Sequence, residues 1–249
     1  MLTRALAASP LRLLHPKNSG SAAWVYAATY GGGLLGGDAI ALDIHLNDGA
    51  RALVSTQAST KVYRSHLGAS QRLRARAGAD TLLVLLPDPV TPFARSQYEQ
   101  EQRIELASGA TLVAVDWMTA GRVNSGERWE GTSYSNRTWI HRDGALLLHD
   151  ALRLDPQDSD VPARMGRFNC FASAVAIGPA VRAAAIRLAG ALGEAPIRRR
   201  ADVLVSAAPL ADDGVLLRVA GTSTQQVAAV LKQHLAFLPS LLDDDPWKS

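Results

Sequence analysis

Between residues 22 and 154 the chain is written mostly in a period of two. Ile40, Leu42, Ile44 and Leu46 alternate with Ala41, Asp43 and His45, and Leu73, Ala75 and Ala77 alternate with Arg72, Arg74 and Arg76. Apolar residues at every second position put one face of a strand in a core and the other in water. Runs 22–28, 50–56, 81–86, 102–106 and 111–117 have strand length and turn-type boundaries. Asn47-Asp48-Gly49 and Arg76-Ala77-Gly78-Ala79-Asp80 read as hairpin closures. Gly49, Gly78, Gly109 and Gly144 are each followed by alanine, at successive separations of 29, 31 and 35 residues. That spacing implies a repeated β-unit.

The period changes late in the chain. Val181, Ala185, Leu188 and Leu192 fall on one helical stripe that begins near Pro179 and stops at Gly193. Ser223 and Gln226 form a capping box ahead of Val227, Val230, Leu231, Leu235 and Leu238, an apolar helix face ended by Pro239. Residues 202–209 and 214–221 form a strand pair between these helices. Pro87, Pro89 and Pro92 exclude a strand over 87–93. Residues 156–165 read as a loop and 242–249 as a polar, mobile tail. The expectation is an all-β fold, mostly β with two late helices, of stacked, layered sheets in one repetitive, β-helix-like domain over residues 1–249.

Five of the 20 glycines crowd into Tyr30-Gly31-Gly32-Gly33-Leu34-Leu35-Gly36-Gly37-Asp38. Gly31, Gly33 and Gly36 have the spacing of a dinucleotide-binding loop, but that motif works by aiming helix-terminal amides at a pyrophosphate. Residues 39–46 carry a strand period instead, and no Gly-Lys-Ser/Thr ending follows. Nucleotide binding is excluded on this ground. Gly32, Gly33, Gly36 and Gly37 are read as a structural loop that sets Asp38.

Composition narrows the classes further. Hydrophobic residues make up 47% and charged residues 20%, ordinary for a globular protein. The net charge of +3 is spread as arginine. The one tight run, Arg198-Arg199-Arg200, lacks the interleaved aromatics of a nucleic-acid surface and reads as solvated. Cys170 is the only cysteine, which rules out an internal disulfide and fits a reducing compartment. It stands at an apolar strand start, as a buried thiol. The first 14 residues are too interrupted by Arg4, Pro10 and Arg12 for a secretory signal. No apolar run reaches the roughly 20 residues of a membrane span. The expected location is the cytoplasm, with no nucleic-acid or membrane partner.

Candidate chemistry is sparse. The six histidines contain no HxH or HExxH spacing and there is no Gly-x-Ser-x-Gly elbow. Asp116 and Asp150, by contrast, each follow an apolar strand run, where a charge is costly unless paired or hydrogen-bonded. One reading gives each a salt bridge or turn hydrogen bond, with Lys61 and Arg122 as candidate partners. The other places Asp38, Asp116 and Asp150 along a polar passage through a β-rich body. A β-rich, carbohydrate-active hydrolase using two of these aspartates and a generic β-binding module are the alternatives from other functional classes.

Five segments in order resemble one family. They are Gly32-Gly33-Leu34-Leu35-Gly36-Gly37-Asp38, residues 56–65, Leu86-Pro87-Asp88-Pro89-Val90-Thr91-Pro92-Phe93, Gly121-Arg122-Val123-Asn124-Ser125-Gly126-Glu127 and Ser135-Asn136-Arg137. Together they resemble the urease accessory proteins UreD, also called UreH. The likeness is close over residues 10–154 and general beyond. The family has further N-terminal residues ahead of the segment that Ser9-Pro10-Leu11 resembles, and its aromatic-rich ending is only echoed by Pro246-Trp247.

The resemblance implies a non-catalytic scaffold, acting in a heteromeric complex with the accessory protein UreF and, through it, the GTPase UreG, to deliver nickel to apo-urease. No cofactor is then held tightly; Ni²⁺ passes transiently. The family's tunnel positions fall on Asp38, Asp116 and Asp150 as nickel contacts and on Thr60 and Lys61 as lining residues. Thr60 keeps the hydroxyl where the family often has serine, and Asp150 is one methylene shorter than the family's frequent glutamate. Sparse carboxylates suit a conduit, because an ion that must leave cannot be held as in a closed site.

Overall fold

Two sheets face each other, and the chain completes one circuit of both about every 30 residues. The computed structural model describes residues 1–193 and 200–248. The reading of the basic run therefore falls, apart from Arg200, outside the described residues. The smaller sheet contains β3 (Ala39–Leu46), β6 (Ala69–Ala77), β9 (Gln97–Leu106) and β11 (Ser133–Arg142), all parallel, with β12 (Ala145–Leu154) antiparallel at its end. The larger sheet contains β1 (Leu11–Leu14), β2 (Ala23–Thr29), β4 (Arg51–Thr56), β7 (Leu82–Leu86), β10 (Thr111–Thr119), β13 (Cys170–Ile177), β15 (Gly214–Gly221) and β14 (Val203–Leu210), in that order. Its β2, β4, β7 and β10 are parallel. Strand β3 leads into β4, β6 into β7 and β9 into β10, always from the smaller sheet to the larger, so the fold is a β-solenoid of about three turns.

The expected hairpins at Gly49 and Gly78 are therefore corners of this coil. Gly49 N–H donates to the Ala79 carbonyl at 2.8 Å and Gly78 N–H to the Leu46 carbonyl at 2.9 Å, so successive corners stack on one another. A hairpin and a coil corner both need a tight, glycine-bearing turn. Local residues cannot separate them; the parallel pairing of β3 with β6 and of β4 with β7 does. The fourth unit does close a hairpin, because β11 and β12 pair antiparallel across Asp143-Gly144.

A short stack branching from the larger sheet, where Val90 pairs with Met118 on β10, closes the coil. Strand β5 (Thr60–Val62) pairs in parallel with β8 (Val90–Pro92), and Leu34 of the glycine loop adds a bridge to Val62. Residues 87–93 thus do contain a strand, which ends at Pro92 where the missing N–H is harmless. The glycine loop is the first rung of this stack. Leu34 N–H donates to the Lys61 carbonyl at 2.7 Å and Tyr63 N–H to the Leu34 carbonyl at 2.9 Å. Gly33 lies so close to its neighbour that a Cβ there would meet the Lys61 carbonyl oxygen at 2.7 Å.

The helices α2 (Arg182–Gly193) and α3 (Thr224–His234) arise as their stripes and the Ser223–Gln226 capping box predict. Pro239 does not simply end a helix, since it opens the short α4 (Leu238–Leu242). Residues 156–165 hold the one-turn α1 (Val161–Met165), capped by Asp160, which accepts from the Ala163 N–H. The segment after Leu242 lies against the body: Asp243 accepts from the Ser21 hydroxyl, Asp244 accepts from the Ser19 N–H, and Trp247 packs on the core.

Three apolar clusters fill this frame. One lies beneath the helices and contains Val113, Val115, Leu217, Val227 and Leu238. The other two lie at opposite ends of the space between the sheets, around Leu83, Leu112, Ile104 and Ile140 at one end. Leu34, Val62, Tyr98, Met118 and Tyr134 form the other. Replacing Gly33 by alanine must separate the glycine loop from β5. Gly33→Ala is expected to cost about 1–3 kcal/mol, read as a lower thermal midpoint by circular dichroism, with no comparable loss for an alanine placed at exposed Arg74.

Candidate functional site

The two inter-sheet clusters are separated by a polar band. Along β9, inward positions run Tyr98, Gln100, Gln102, Ile104, Leu106, so two amides interrupt an otherwise apolar face. Its neighbours repeat the interruption at the same height, with Gln71 on β6 paired to Gln100 and Asn136 on β11 paired to Gln100. Across the gap, Asp116 stands between Ala114 and Met118 on β10. Parallel, in-register stacking lines up like positions, so one polar row creates a continuous polar layer.

Asp116 is the centre of that layer. Gln100 Nε2 donates to its Oδ1 at 3.2 Å, Gln102 Nε2 reaches Oδ2 at 3.4 Å, and Asn136 Nδ2 donates to Oδ2. The Gln100 amide is aimed by Tyr98, whose hydroxyl donates to Gln100 Oε1 at 2.9 Å. No cation is paired with Asp116 among the described residues. Its carboxyl is pushed up to about 6, first by burial and also by the charge of Asp150, against the amide hydrogen bonds that pull it down. Asn136 Oδ1 is buried beside it with no protein partner. A carboxylate flanked by a free acceptor oxygen is an arrangement that suits a cation or ordered water.

Two cavities meet at this carboxylate. One, of about 60 Å³, is lined by Thr56, Thr60, Gln71, Asp88, Gln100, Gln102 and Asp116 among others. The other, of about 20 Å³, is lined by Asp116, Asn136, Asp150, Ser173 and Arg218 among others. Asp116 alone lines both. Asp88, at the far end of the first, accepts from the Thr56 hydroxyl at 3.0 Å, and burial raises its carboxyl above the ordinary range. Asp150, at the end of the second, is paired with Arg218 at 2.8 Å.

Of the five residues singled out as nickel contacts or lining, the structure brings together three. Asp116 and Asp150 share a cavity, and Thr60 lines the cavity on the other side of Asp116. Lys61 alternates outward from Thr60 and is exposed. Asp38 closes its own turn, accepting from the Leu35 N–H at 2.8 Å, and lines neither cavity. Lys61 and Arg122 also fail as partners of the buried acids. Arg122 pairs with Glu127, while Asp150 takes Arg218 and Asp116 takes amides.

Asp88, Gln100, Gln102, Asn136 and Arg218 were not singled out as site residues from the sequence. A signal existed for the two glutamines, which share the strand period of Tyr98 and Ile104 and so had to point inward. Asp88 lies among prolines, where no period applies. The expectation for Cys170 holds: it is fully buried, and burial pushes its thiol up to about 12. Groups of three or more His, Cys, Asp or Glu side chains able to hold a metal are absent among the described residues.

The family described as UreD urease accessory protein matches residues 1–247. The chain belongs to the UreD family of urease accessory proteins. Urease accessory protein UreD of Sorangium cellulosum is 51% identical over 247 residues, covering 99% of this chain and 78% of the relative. The UreD of an Anaeromyxobacter species is 46% identical, covering 97% and 82%. Urease accessory protein D of rice, Oryza sativa subsp. indica, is 33% identical, covering 99% and 90%. Family membership thus extends over the helical region, where the sequence likeness was only general. No described helix is long and apolar enough to cross a membrane.

Burial of Asp116 has a thermodynamic consequence. A carboxyl held at about 6 rather than 3.8 destabilises the folded state by roughly 3 kcal/mol once ionised. The folded state binds more protons than the unfolded chain between these two values, so stability falls as pH rises through that window. Denaturant unfolding at pH 4 and pH 8 is expected to show this loss, and Asp116→Asn to remove that part of the pH dependence.

Proposed function

We propose that this UreD-family chain is a non-catalytic scaffold whose inter-sheet polar band conducts nickel during urease maturation. The observation that carries the reading is the meeting of two cavities at a single buried, cation-free carboxylate, Asp116. Around it the band offers oxygen donors from Thr60, Asp88, Asn136 and Asp150 with no histidine or thiolate among them. Such hard, sparse ligands bind a divalent ion weakly enough to release it. The conducting residues of this proposal are Thr60, Asp88, Asp116 and Asp150. Asp38 closes the glycine-loop turn and Lys61 points outward from β5, both outside the cavities.

Family membership supports the partners: a UreF-type accessory protein, a UreG-type GTPase reached through it, and apo-urease, in the cytoplasm. Nickel is the cargo of this assembly, so a resident metal centre is not required of the chain. The hydrolase alternative has a paired-carboxylate basis in Asp116 and Asp150, but their shared cavity holds only about 20 Å³ and is walled by Trp117, Met118, Tyr134 and Phe171. That space leaves a sugar ring little room.

Co-expression with urease subunits, the two partners and nickel tests the proposal. Asp116→Asn is expected to lower urease activation about tenfold or more, while the variant still co-purifies with its UreF-type partner and keeps its strand signal by circular dichroism. Activation at the wild-type level with Asp116→Asn would reject the passage. Turnover of a glycoside by the purified chain alone would favour the hydrolase.

A further inference from the structure

Arg218 stands where the polar row of the larger sheet meets the last strand of the smaller one. Register places Asp116 opposite Ser173 and Ser173 opposite Arg218, so the three form one cross-strand row along β10, β13 and β15. The row faces Asp150 on β12, and both oxygens of Asp150 are engaged. Arg218 donates to Oδ1 at 2.8 Å and the Ser173 hydroxyl reaches Oδ2 at 3.4 Å. The pair lies at the solvent end of the cavity, with side-chain exposures of 43% for Arg218 and 22% for Asp150. At the inner end, Asp116 has only amide donors. One guanidinium therefore serves a cavity lined by two acids.

From this placement we infer that Arg218 guards the Asp150 mouth: its guanidinium occupies the carboxylate as a stand-in cation, and a divalent ion passes only by displacing it. The inference rests on reading the polar band as a cation passage and adds the residue that sets how tightly its end holds the ion. Two carboxylates in so small a space, without a counter-charge, form a trap for a divalent cation. A passage must release what it binds. A permanently charged side chain on a long stem meets both needs, since it cancels the surplus charge at rest and can swing into solvent when an ion arrives. The exposure of the pair makes the exchange easy, because a wet ion pair is weak.

Neutralising each charge of the pair provides the test. Wild type, Arg218→Gln, Arg218→Lys, Asp150→Asn and the Asp150→Asn/Arg218→Gln double variant are purified as the full chain with the co-expressed UreF-type partner. Each is titrated with Ni²⁺ alone and scored for urease activation in co-expressing cells. Arg218→Gln is expected to bind Ni²⁺ about tenfold more tightly and to activate urease more slowly, with Arg218→Lys close to wild type in both. Asp150→Asn leaves an unpaired guanidinium in the mouth and lowers activation, and the double variant recovers part of that loss. Unchanged Ni²⁺ affinity in Arg218→Gln, or a double variant no better than Asp150→Asn, overturns the guard. Asp116→Asn measured alongside separates the two ideas. Full activation there removes the passage and the guard together, whereas lost activation there with unaltered affinity in Arg218→Gln removes the guard alone.

Discussion

Parallel, in-register stacking is the constraint on which the rest of this molecule depends. Each strand of the smaller sheet sits over the same positions of the one before, so Gln71, Gln100 and Asn136 share a height by geometry. An inward polar side chain in such a stack is stranded in apolar surroundings unless the rungs above and below are polar too. Here they are, and the opposite sheet supplies Asp116 at the matching level. The result is a core cut in two, with aliphatic packing around Ile104 at one end, aromatic packing around Tyr98 and Tyr134 at the other, and a hydrogen-bonded layer between.

That layer is only partly satisfied. Tyr98 orients Gln100, and Gln100 orients toward Asp116, in a directed chain from hydroxyl to amide to carboxylate. The chain ends on an acid that burial keeps hard to ionise and on an Asn136 oxygen with no partner. A core selected for stability alone would fill this space with aliphatic side chains, as the row at Ile104 and Ile140 does. Under the proposed function, polar groups persist there because the band is visited by an ion.

Much of this was legible in the residues. The strand period, the spacing of Gly49, Gly78 and Gly109, the helix stripe through Ala185 and the capping box at Ser223 all describe real elements. The connectivity was less so, because glycine corners look alike whether the chain doubles back or crosses to another sheet. Asp116 and Asp150 were visible as acids inside apolar runs. Arg218 was not, because it reads as one polar residue on an ordinary amphipathic strand, and its meaning comes from β12, more than 60 residues earlier, lying opposite. Lys61 and Asp38 line neither cavity. Adjacency in sequence to a lining residue says nothing about direction, since Thr60 points in and its neighbour points out.

The coil also makes the band modular. Each rung contributes one strand to the smaller sheet, one to the larger and a corner, and neighbouring rungs are about 4.8 Å apart. Insertion or loss of one unit of roughly 30 residues would lengthen or shorten the polar layer by a single row, leaving the helices at one margin and the glycine loop at the other untouched. The reach of the interior is therefore quantised. A lineage could adjust it in whole rungs, by the same duplications that extend any repeat protein, without redesigning either end.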